Sequence, residues 1–254
     1  MIRIVILGAG NVAQHLYTTF IREKSVTVIQ CYNRRGIQIH KDQKKETICN
    51  DLANLKEADL YILAVSDDAI EKVSNKLPFD HRLVVHTSGS VPMESIINRN
   101  HRGVFYPLQT FSASKKVDFS TIPFCIESER ENDYILLEKL ASTLSKKIYT
   151  ISSEQRNVLH VAAVFVNNFT NYMFSIGNKI CVENNIPFEI LHPLIQETAK
   201  KITYLNPDKA QTGPAIRKDE KTIKRHVEIL EEDSLKEIYK ILTQSIQSKY
   251  GKEL

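Results

Sequence analysis

Six residues near the start of the chain, Gly8-Ala9-Gly10-Asn11-Val12-Ala13, have the types and spacing to cradle a phosphate. In a G-x-G-x-x-A turn the first glycine permits a tight bend and the second lets an anion approach the backbone, while the small third residue lets helix pack on strand. The anion then meets free amides at the helix start. After the next apolar run stand Asn33, Arg34 and Arg35, with no acid between Val26 and Lys41. A carboxylate there would accept bonds from ribose hydroxyls, whereas arginine neutralises a ribose phosphate. The pattern predicts a dinucleotide site selective for NADP(H), built from Gly8, Ala9, Gly10, Asn11, Val12, Asn33, Arg34 and Arg35. The other reading of the two arginines is a pair of solvated loop charges.

Two later turns also follow apolar runs. One carries Val65, Ser66, Asp67 and Asp68, the other His86, Thr87, Ser88 and Gly89. Ligands of doubly wound sheets bind outside the carboxyl ends of the strands, so Val65, Ser66, Ser88 and Gly89 are expected in the cofactor cleft. Asp67 and Asp68 suit the first turn of a helix, where acids complement the dipole. The Ser88 hydroxyl can bond a nicotinamide amide or a substrate carbonyl. His86 is either a substrate-binding imidazole or a buried structural one. Tyr106, Pro107 and Gln109 can shape the same pocket, Gln109 as a substrate contact.

Further along, His160, Val164, Asn167 and Asn171 fall within about 60° of one another on a helix turning about 100° per residue, with Asn168 alongside. An imidazole that donates a proton and amides that position a substrate would suit this face. Hydrogen bonds between helices, or across a dimer interface, would suit it equally. In the segment Thr212 to Arg217, Arg217 can clamp a substrate carboxylate with two parallel bonds, or pair with Asp219, a natural helix N-cap. The candidate catalytic group is therefore His160, Asn167, Asn168 and Ser88, and the candidate substrate contacts are His86, Gln109 and Arg217.

Such residues need strands and helices to hold them. IRIVIL at Ile2 to Leu7, VTVIQCY at Val26 to Tyr32, Leu60 to Ser66 and Arg82 to Ser88 read as strands, and NVAQHLYTTFIREK places Val12, Leu16 and Phe20 in helical register. Alternating strands and helices predict parallel pairing through right-handed crossovers. Shorter strands are expected at Gly103 to Tyr106, Ile122 to Glu127 and Lys147 to Ile151, with the helix NDYILLEKLASTL between the last two. Beyond Ser152 the period-2 signal disappears. Ser152 or Ser153 can cap a helix running to about Asn184, and helices are expected at 187–205, 219–230 and 234–250. The fold class is α/β: a doubly wound Rossmann-type sheet over residues 1–151, then an all-helical domain over 152–254 for substrate binding and dimerisation.

Composition narrows the function classes. The chain has 254 residues, of which 42% are hydrophobic and 25% charged, as in ordinary globular proteins. Net charge is +4. Residues 1–150 hold 20 Lys and Arg against 17 Asp and Glu, and residues 151–254 hold 14 against 13, so the concentrated basic footprint of a nucleic-acid binder is missing. Cys31, Cys49, Cys125 and Cys181 show neither a disulfide framework nor metal-ligand spacing. With no signal-peptide pattern and no membrane-length apolar run, a cytoplasmic protein is expected, acting on a small molecule without a metal, a membrane or a nucleic acid.

The combination GAGNVA, AVSDDAI, HTSGS, YPLQTFS, the asparagine-bearing helix at His160 to Asn171 and TGPAIRKDEKTIKRH resembles uncharacterised Rossmann-like proteins whose C-terminal half is a domain of unknown function. These are similar in plan to pyrroline-carboxylate reductase, ketopantoate reductase and the 6-phosphogluconate dehydrogenase superfamily. The resemblance spans nearly the whole chain and implies an NADP-binding oxidoreductase, often a homodimer assembled through its helical domain. In the hydroxyacid dehydrogenases of similar plan, a lysine one turn before an asparagine polarises the substrate oxygen. Here Ala163 and Val164 occupy those positions. The leading expectation is an NADP(H)-dependent reductase moving a hydride to a small C=O or C=N substrate that bears a carboxylate. The alternatives are a catalytically degenerate NADP-binding sensor or scaffold and an oxidoreductase using a deazaflavin or flavin partner.

Overall fold

The computed structural model describes residues 1–112 and 115–250. The β-branched run at the N-terminus forms β1 (Ile2–Leu7), and the glycine turn leads into α1 (Asn11–Phe20). There follow β2 (Val26–Tyr32), a two-residue edge strand β3 (Ile48–Cys49), β4 (Leu60–Leu63), α2 (Asp67–Ser74), β5 (Leu83–His86), β6 (His101–Pro107), β7 (Phe124–Ser128), α3 (Glu131–Ser142) and β8 (Ile148–Thr150). The strands make one sheet in the order β3-β2-β1-β4-β5-β6-β7-β8. All neighbours are parallel except β6 and β7. The chain runs outward from β1 to β3 and then returns to place β4 on the other side of β1. That reversal is the switch point of a doubly wound sheet, and the glycine turn sits beside it.

Both faces of this sheet are covered, so β4 and β5 are buried throughout and β1 everywhere but at Arg3. Ile4, Ile6, Leu60 and Ile62 join one core with Leu16 and Phe20 of α1 and Leu137 and Leu140 of α3. Val5, Leu7, Tyr61 and Leu63 alternate to the other face and pack with Ile70 of α2. Two features depart from the expected pattern. β3 is too short for a period to register in sequence, and β7 with β8 runs opposite to the other strands. Among its described residues the β6–β7 connection carries no α-helix, only the single 3-10 turn Phe119–Thr121, and an antiparallel pair needs no crossover.

The next helix is α4 (Ser153–Ala163). Ser152 is its N-cap: the Ser152 Oγ accepts from the Gln155 amide at 3.2 Å, and the Gln155 side chain accepts from the Ser152 amide at 3.0 Å. Ser153 is thereby free for a different task. Its Oγ donates to Glu127 at 2.7 Å and accepts from the Met93 amide at 2.9 Å. Arg156, 1% exposed, completes the cluster with bonds to Glu127 at 2.6 Å and the Val91 carbonyl at 2.6 Å. These bonds tie α4 to β7 and to the loop after β5. The first compact unit accordingly spans Met1–Phe165, past the expected limit at residue 151, where the strands end.

The second unit begins at Val166. Val164–Phe169 winds as a π-helix, and the run continues as α5 (Thr170–Glu183), α6 (His192–Lys201), the single turn α7 (Pro207–Ala210), α8 (Glu220–Ile229) and α9 (Asp233–Tyr250). A π-helix bonds i to i+5 and so turns less per residue than an α-helix. The 100° step that placed His160, Asn167 and Asn171 on one face does not hold through this segment.

Replacing Arg156 by Ala leaves the Glu127 carboxylate without its charge partner at a largely buried site. The expected loss is about 3–5 kcal/mol in urea unfolding, with a much smaller loss when Arg156 and Glu127 are both replaced by Met.

Candidate active site

A cleft of about 1240 Å³ opens where β1, β4 and β5 end. Gly8, Ala9, Gly10, Asn11, Val12, Asn33, Arg34, Arg35, Val65, Ser66, Ser88 and Gly89 all line it, as do Gln109 and His160. Every residue expected to hold the dinucleotide is thus brought to one cavity. The turn itself is fixed by backbone bonds from Gly8 to Tyr32 and from Ala64 to Leu7, both 2.8 Å. Gly8 has φ +136°, and a Cβ there would lie 2.0 Å from the Ala64 carbonyl oxygen. No other residue fits. Gly10 is the N-cap of α1, and nothing lies within 4 Å of the place its Cβ would occupy. With no capping side chain and no acid in its first turn, α1 presents open amides to that space. A pyrophosphate matches this charge and geometry.

The end of β2 is more specialised than its sequence suggests. The Asn33 side chain is buried and turned back into its own loop, donating to the Ile37 carbonyl at 2.8 Å and accepting from the Ile37 amide at 3.0 Å. Its amide is spent on the loop that carries Arg34 and Arg35. Both arginines are exposed and in no ion pair among the described residues. Lys72 and Lys76, one turn apart on and just beyond α2, also line the cleft, and sequence reasoning passed over them. The signal was present, since the helix after β4 borders the cleft in a doubly wound sheet. Phe111 lines it too and is held by the Asn11 side chain, which donates to the Phe111 carbonyl at 2.9 Å. No local pattern announces that contact between residues a hundred positions apart.

At the end of β5, Ser88 Oγ accepts from the Ser90 amide at 3.2 Å and the Val91 amide at 3.1 Å. Its hydroxyl proton remains available to donate. Asp67 accepts from Ser90 Oγ at 2.7 Å and sits in the first turn of α2. His86 is fully buried and does not line the cleft. Its Nδ1 accepts from the Ser88 amide at 3.2 Å, while Nε2 makes no hydrogen bond. Burial above all, and then the Arg156 charge, push its pKa down to about 4, against weaker upward pulls from the Pro92 carbonyl and Asp67. The imidazole is neutral and shapes the Ser88 turn. It is thus a support within the fold, and burial keeps it from reaching a substrate.

Gln109 is exposed, with its Oε1 bonded to the Thr110 amide at 2.8 Å. Asn167 and Asn168 are exposed on the π-helix. Arg217 is exposed and in no ion pair among the described residues. Asp219 caps α8 through the Thr222 amide at 3.1 Å, and its carboxyl lies below the usual range because of the two Thr222 hydrogen bonds first and the nearby Arg217 and Arg225 charges after. His226, which follows on that helix, bonds the Tyr239 hydroxyl at 2.9 Å. Among the described residues no group of three or more His, Cys, Asp or Glu side chains is placed to hold a metal ion, and no helix is long and apolar enough to cross a membrane.

Comparison with known proteins places this geometry. Residues 3–89 match the family described as NADP oxidoreductase, coenzyme F420-dependent, and residues 122–246 match a domain of unknown function, DUF2520. A candidate NADP oxidoreductase from Bacteroides fragilis is 39% identical over 97% of this chain and 98% of its own, with a TM-score of 0.84. The chain belongs to this family of NADP oxidoreductase-like proteins. The fold alone is shared with an imine reductase from Myxococcus stipitatus solved with NADP+, 13% identical, covering 98% of this chain and 96% of that one with a TM-score of 0.69. It is shared likewise with a pyrroline carboxylate reductase from Plasmodium falciparum solved with NADP, 12% identical over 98% and 97% of the two chains, TM-score 0.62. No curated protein matches. The cofactor of this family is NADP, and the Gly8–Val12 turn, the open approach to Gly10 and the exposed Arg34 and Arg35 fit it.

Two outcomes test the site. Gly8→Ala forces a side chain onto the Ala64 carbonyl and is expected to abolish dinucleotide binding in calorimetry. Because the His86 pKa is lowered from 6.5 to about 4, the unfolded chain takes up a proton that the folded chain refuses as pH falls between those values. Stability present above pH 6.5 should decline across that window by up to about 1.4 kcal/mol per pH unit. His86→Gln should flatten that part of the curve.

Proposed function

We propose that the protein is an NADP(H)-dependent oxidoreductase that transfers a hydride to or from a small carbonyl or imine substrate bearing a carboxylate. The observation that carries this reading is the single cleft that joins the Gly8–Val12 turn, Arg34 and Arg35 to Ser88, Gly89 and His160. The amides of Asn11 and Val12 and the open side of Gly10 would hold the pyrophosphate. Arg34 and Arg35 would neutralise the 2′-phosphate, with Lys72 and Lys76 adding positive potential along the same cleft. NADPH, when bound, supplies the hydride; the chain supplies orientation and charge. His160 and Ser88, at the inner end, would donate hydrogen bonds or a proton to the reacting oxygen or nitrogen.

The family description of residues 3–89 mentions coenzyme F420, which supports a second reading, with a deazaflavin as the redox partner of NADP. Mixing the purified protein with NADPH and reduced or oxidised deazaflavin, and following absorbance, separates the two readings.

A homodimer is the further part of the proposal. In the second unit only Cys181, Ala215 and Leu235 are buried apolar residues among those described, whereas Val166, Phe169, Tyr172, Val182, Ile190, Leu194 and Tyr204 are exposed. A helical unit with so little interior of its own needs a surface to cover its apolar side chains. Light scattering at micromolar concentration should give twice the chain mass, and a monomer would overturn this part.

For the cofactor, NADPH should raise the melting temperature at much lower concentration than NADH, since binding to the folded state adds RT ln(1 + [L]/Kd). Arg34→Ala and Arg35→Ala should each weaken NADPH by about 10- to 100-fold, the worth of a charge-assisted bond of about 1.5–3 kcal/mol, while leaving NADH nearly unchanged. Equal affinity for the two nucleotides in the unaltered protein would defeat the NADP assignment.

A further inference from the structure

The imidazole of His160 on α4 meets the phenol of Tyr106 on β6 over Gly89. Tyr106 Oη lies 3.5 Å from His160 Nδ1, the outer reach of a hydrogen bond in a site where such bonds shorten on ligand binding. Gly89 makes the approach possible. A Cβ there would stand 2.5 Å from His160 Nδ1 and 2.9 Å from the Tyr106 hydroxyl. Both partners come from rigid elements: β6 is paired on both sides, with Tyr106 opposite Cys125, and α4 is clamped by Arg156.

The Tyr106 hydroxyl makes no other hydrogen bond among the described residues, and His160 Nε2 makes none. The phenol is neutral, its pKa raised by burial first and by Cys125 and Asp67 in smaller part, against a lowering by Arg156. Two arrangements are open to the pair. If Nδ1–H donated to the phenol oxygen, the half-buried O–H would be left without an acceptor, and Nε2 would offer only a lone pair. If the phenol donates to Nδ1, its own proton is satisfied and the imidazole proton must reside on Nε2. The second leaves no half-buried donor unpaired, and an unpaired one carries a cost.

We propose that Tyr106 is a positioning residue whose hydroxyl donates to His160 Nδ1, holding the imidazole as its Nε2–H form and making Nε2–H a fixed hydrogen-bond donor to a ligand carbonyl oxygen in the cleft. The ligand role rests on the reading of the cleft given above; the state of the imidazole does not. The acceptor is the carboxamide of the cofactor or the carbonyl of a substrate.

Nitrogen-15 NMR of the full chain labelled at its histidine rings tests this. Of the eight histidines, His160 is assigned by the signal lost in His160→Gln. At a pH where the ring is neutral, the expected spectrum has the proton on Nε2 and an Nδ1 resonance displaced as for a hydrogen-bonded acceptor. Tyr106→Phe should return Nδ1 to the position of an unbonded acceptor. Gly89→Ala, which keeps the hydroxyl but pushes the rings apart, should do the same, so the test survives if one variant fails to fold. A proton on Nδ1, or an Nδ1 resonance indifferent to both substitutions, overturns the pair.

NADP+ and then NADP+ with pyruvate, as a small keto-acid probe, test the donor. Movement of the Nε2 resonance with NADP+ alone makes the carboxamide the acceptor, and movement only with pyruvate makes it a substrate carbonyl. No movement with either, in protein that calorimetry shows to bind NADP+, overturns the donor role alone. Failure to bind NADP+ at all overturns the donor role together with the cofactor reading, while the response to Tyr106→Phe still decides the pair.

Discussion

Arg156 lies 1% exposed between the Glu127 carboxylate on β7 and the Val91 carbonyl beyond β5. A guanidinium at that depth is tolerable only with its charge and most of its donors met, and a carboxylate beside a carbonyl and a serine hydroxyl meets them. The consequence is geometric. The helix that carries His160, the strand that carries Glu127 and the loop that carries Ser88 and Gly89 are drawn to one point. Burial first, and the same charge second, keep the neighbouring His86 neutral, and neutral His86 accepts the Ser88 amide that shapes the loop. One buried cation therefore organises the inner end of the cleft.

The outer end is organised without charge. Gly8 must sit against the Ala64 carbonyl where β1 and β4 separate, and only a residue without Cβ fits there. That close approach aims the start of α1 into the cleft and leaves its amides open beside Gly10. Asn33, bonded to its own loop, then holds Arg34 and Arg35 exposed at the cavity wall. Backbone amides suit the pyrophosphate at one point and free guanidiniums suit an additional phosphate at another. A helix N-terminus by itself attracts any anion, whereas here the open amides at Gly10 and the exposed guanidiniums of Arg34 and Arg35 line one cleft.

The helical unit poses a different problem. Its helices have good local signals, such as the Asp219 cap and the His226–Tyr239 bond between α8 and α9. Yet many of its large apolar side chains, among them Val166, Phe169, Ile190, Leu194 and Tyr204, remain exposed. Helix formation there depends on local capping and periodicity more than on an interior of its own.

The strand–glycine–helix start was legible from residue order, because Gly8, Gly10 and Ala13 are required by local backbone geometry and Val12, Leu16 and Phe20 by helical period. So were the grouping of Asn33, Arg34, Arg35, Ser88 and Gly89 with that turn around one cleft and the change from sheet to helix near Ser152. These are effects within one turn or one strand, and sequence spacing encodes them. Three matters were settled only by the tertiary structure. His86 reads as a site residue from its place at a strand end, but the packing of β5 against its neighbours buries it. Arg156 and Glu127 look like surface charges in their own segments and become a buried pair because two elements 29 residues apart converge. The regular 100° step used to relate Asn167 and Asn168 to His160 does not hold through the π-helix at Val164–Phe169. Sequence determined what each segment would be, because caps, turns and periodicity act within a few residues; the convergence of segments distant in the chain, which no local spacing encodes, decided which side chains are buried and which line the cleft.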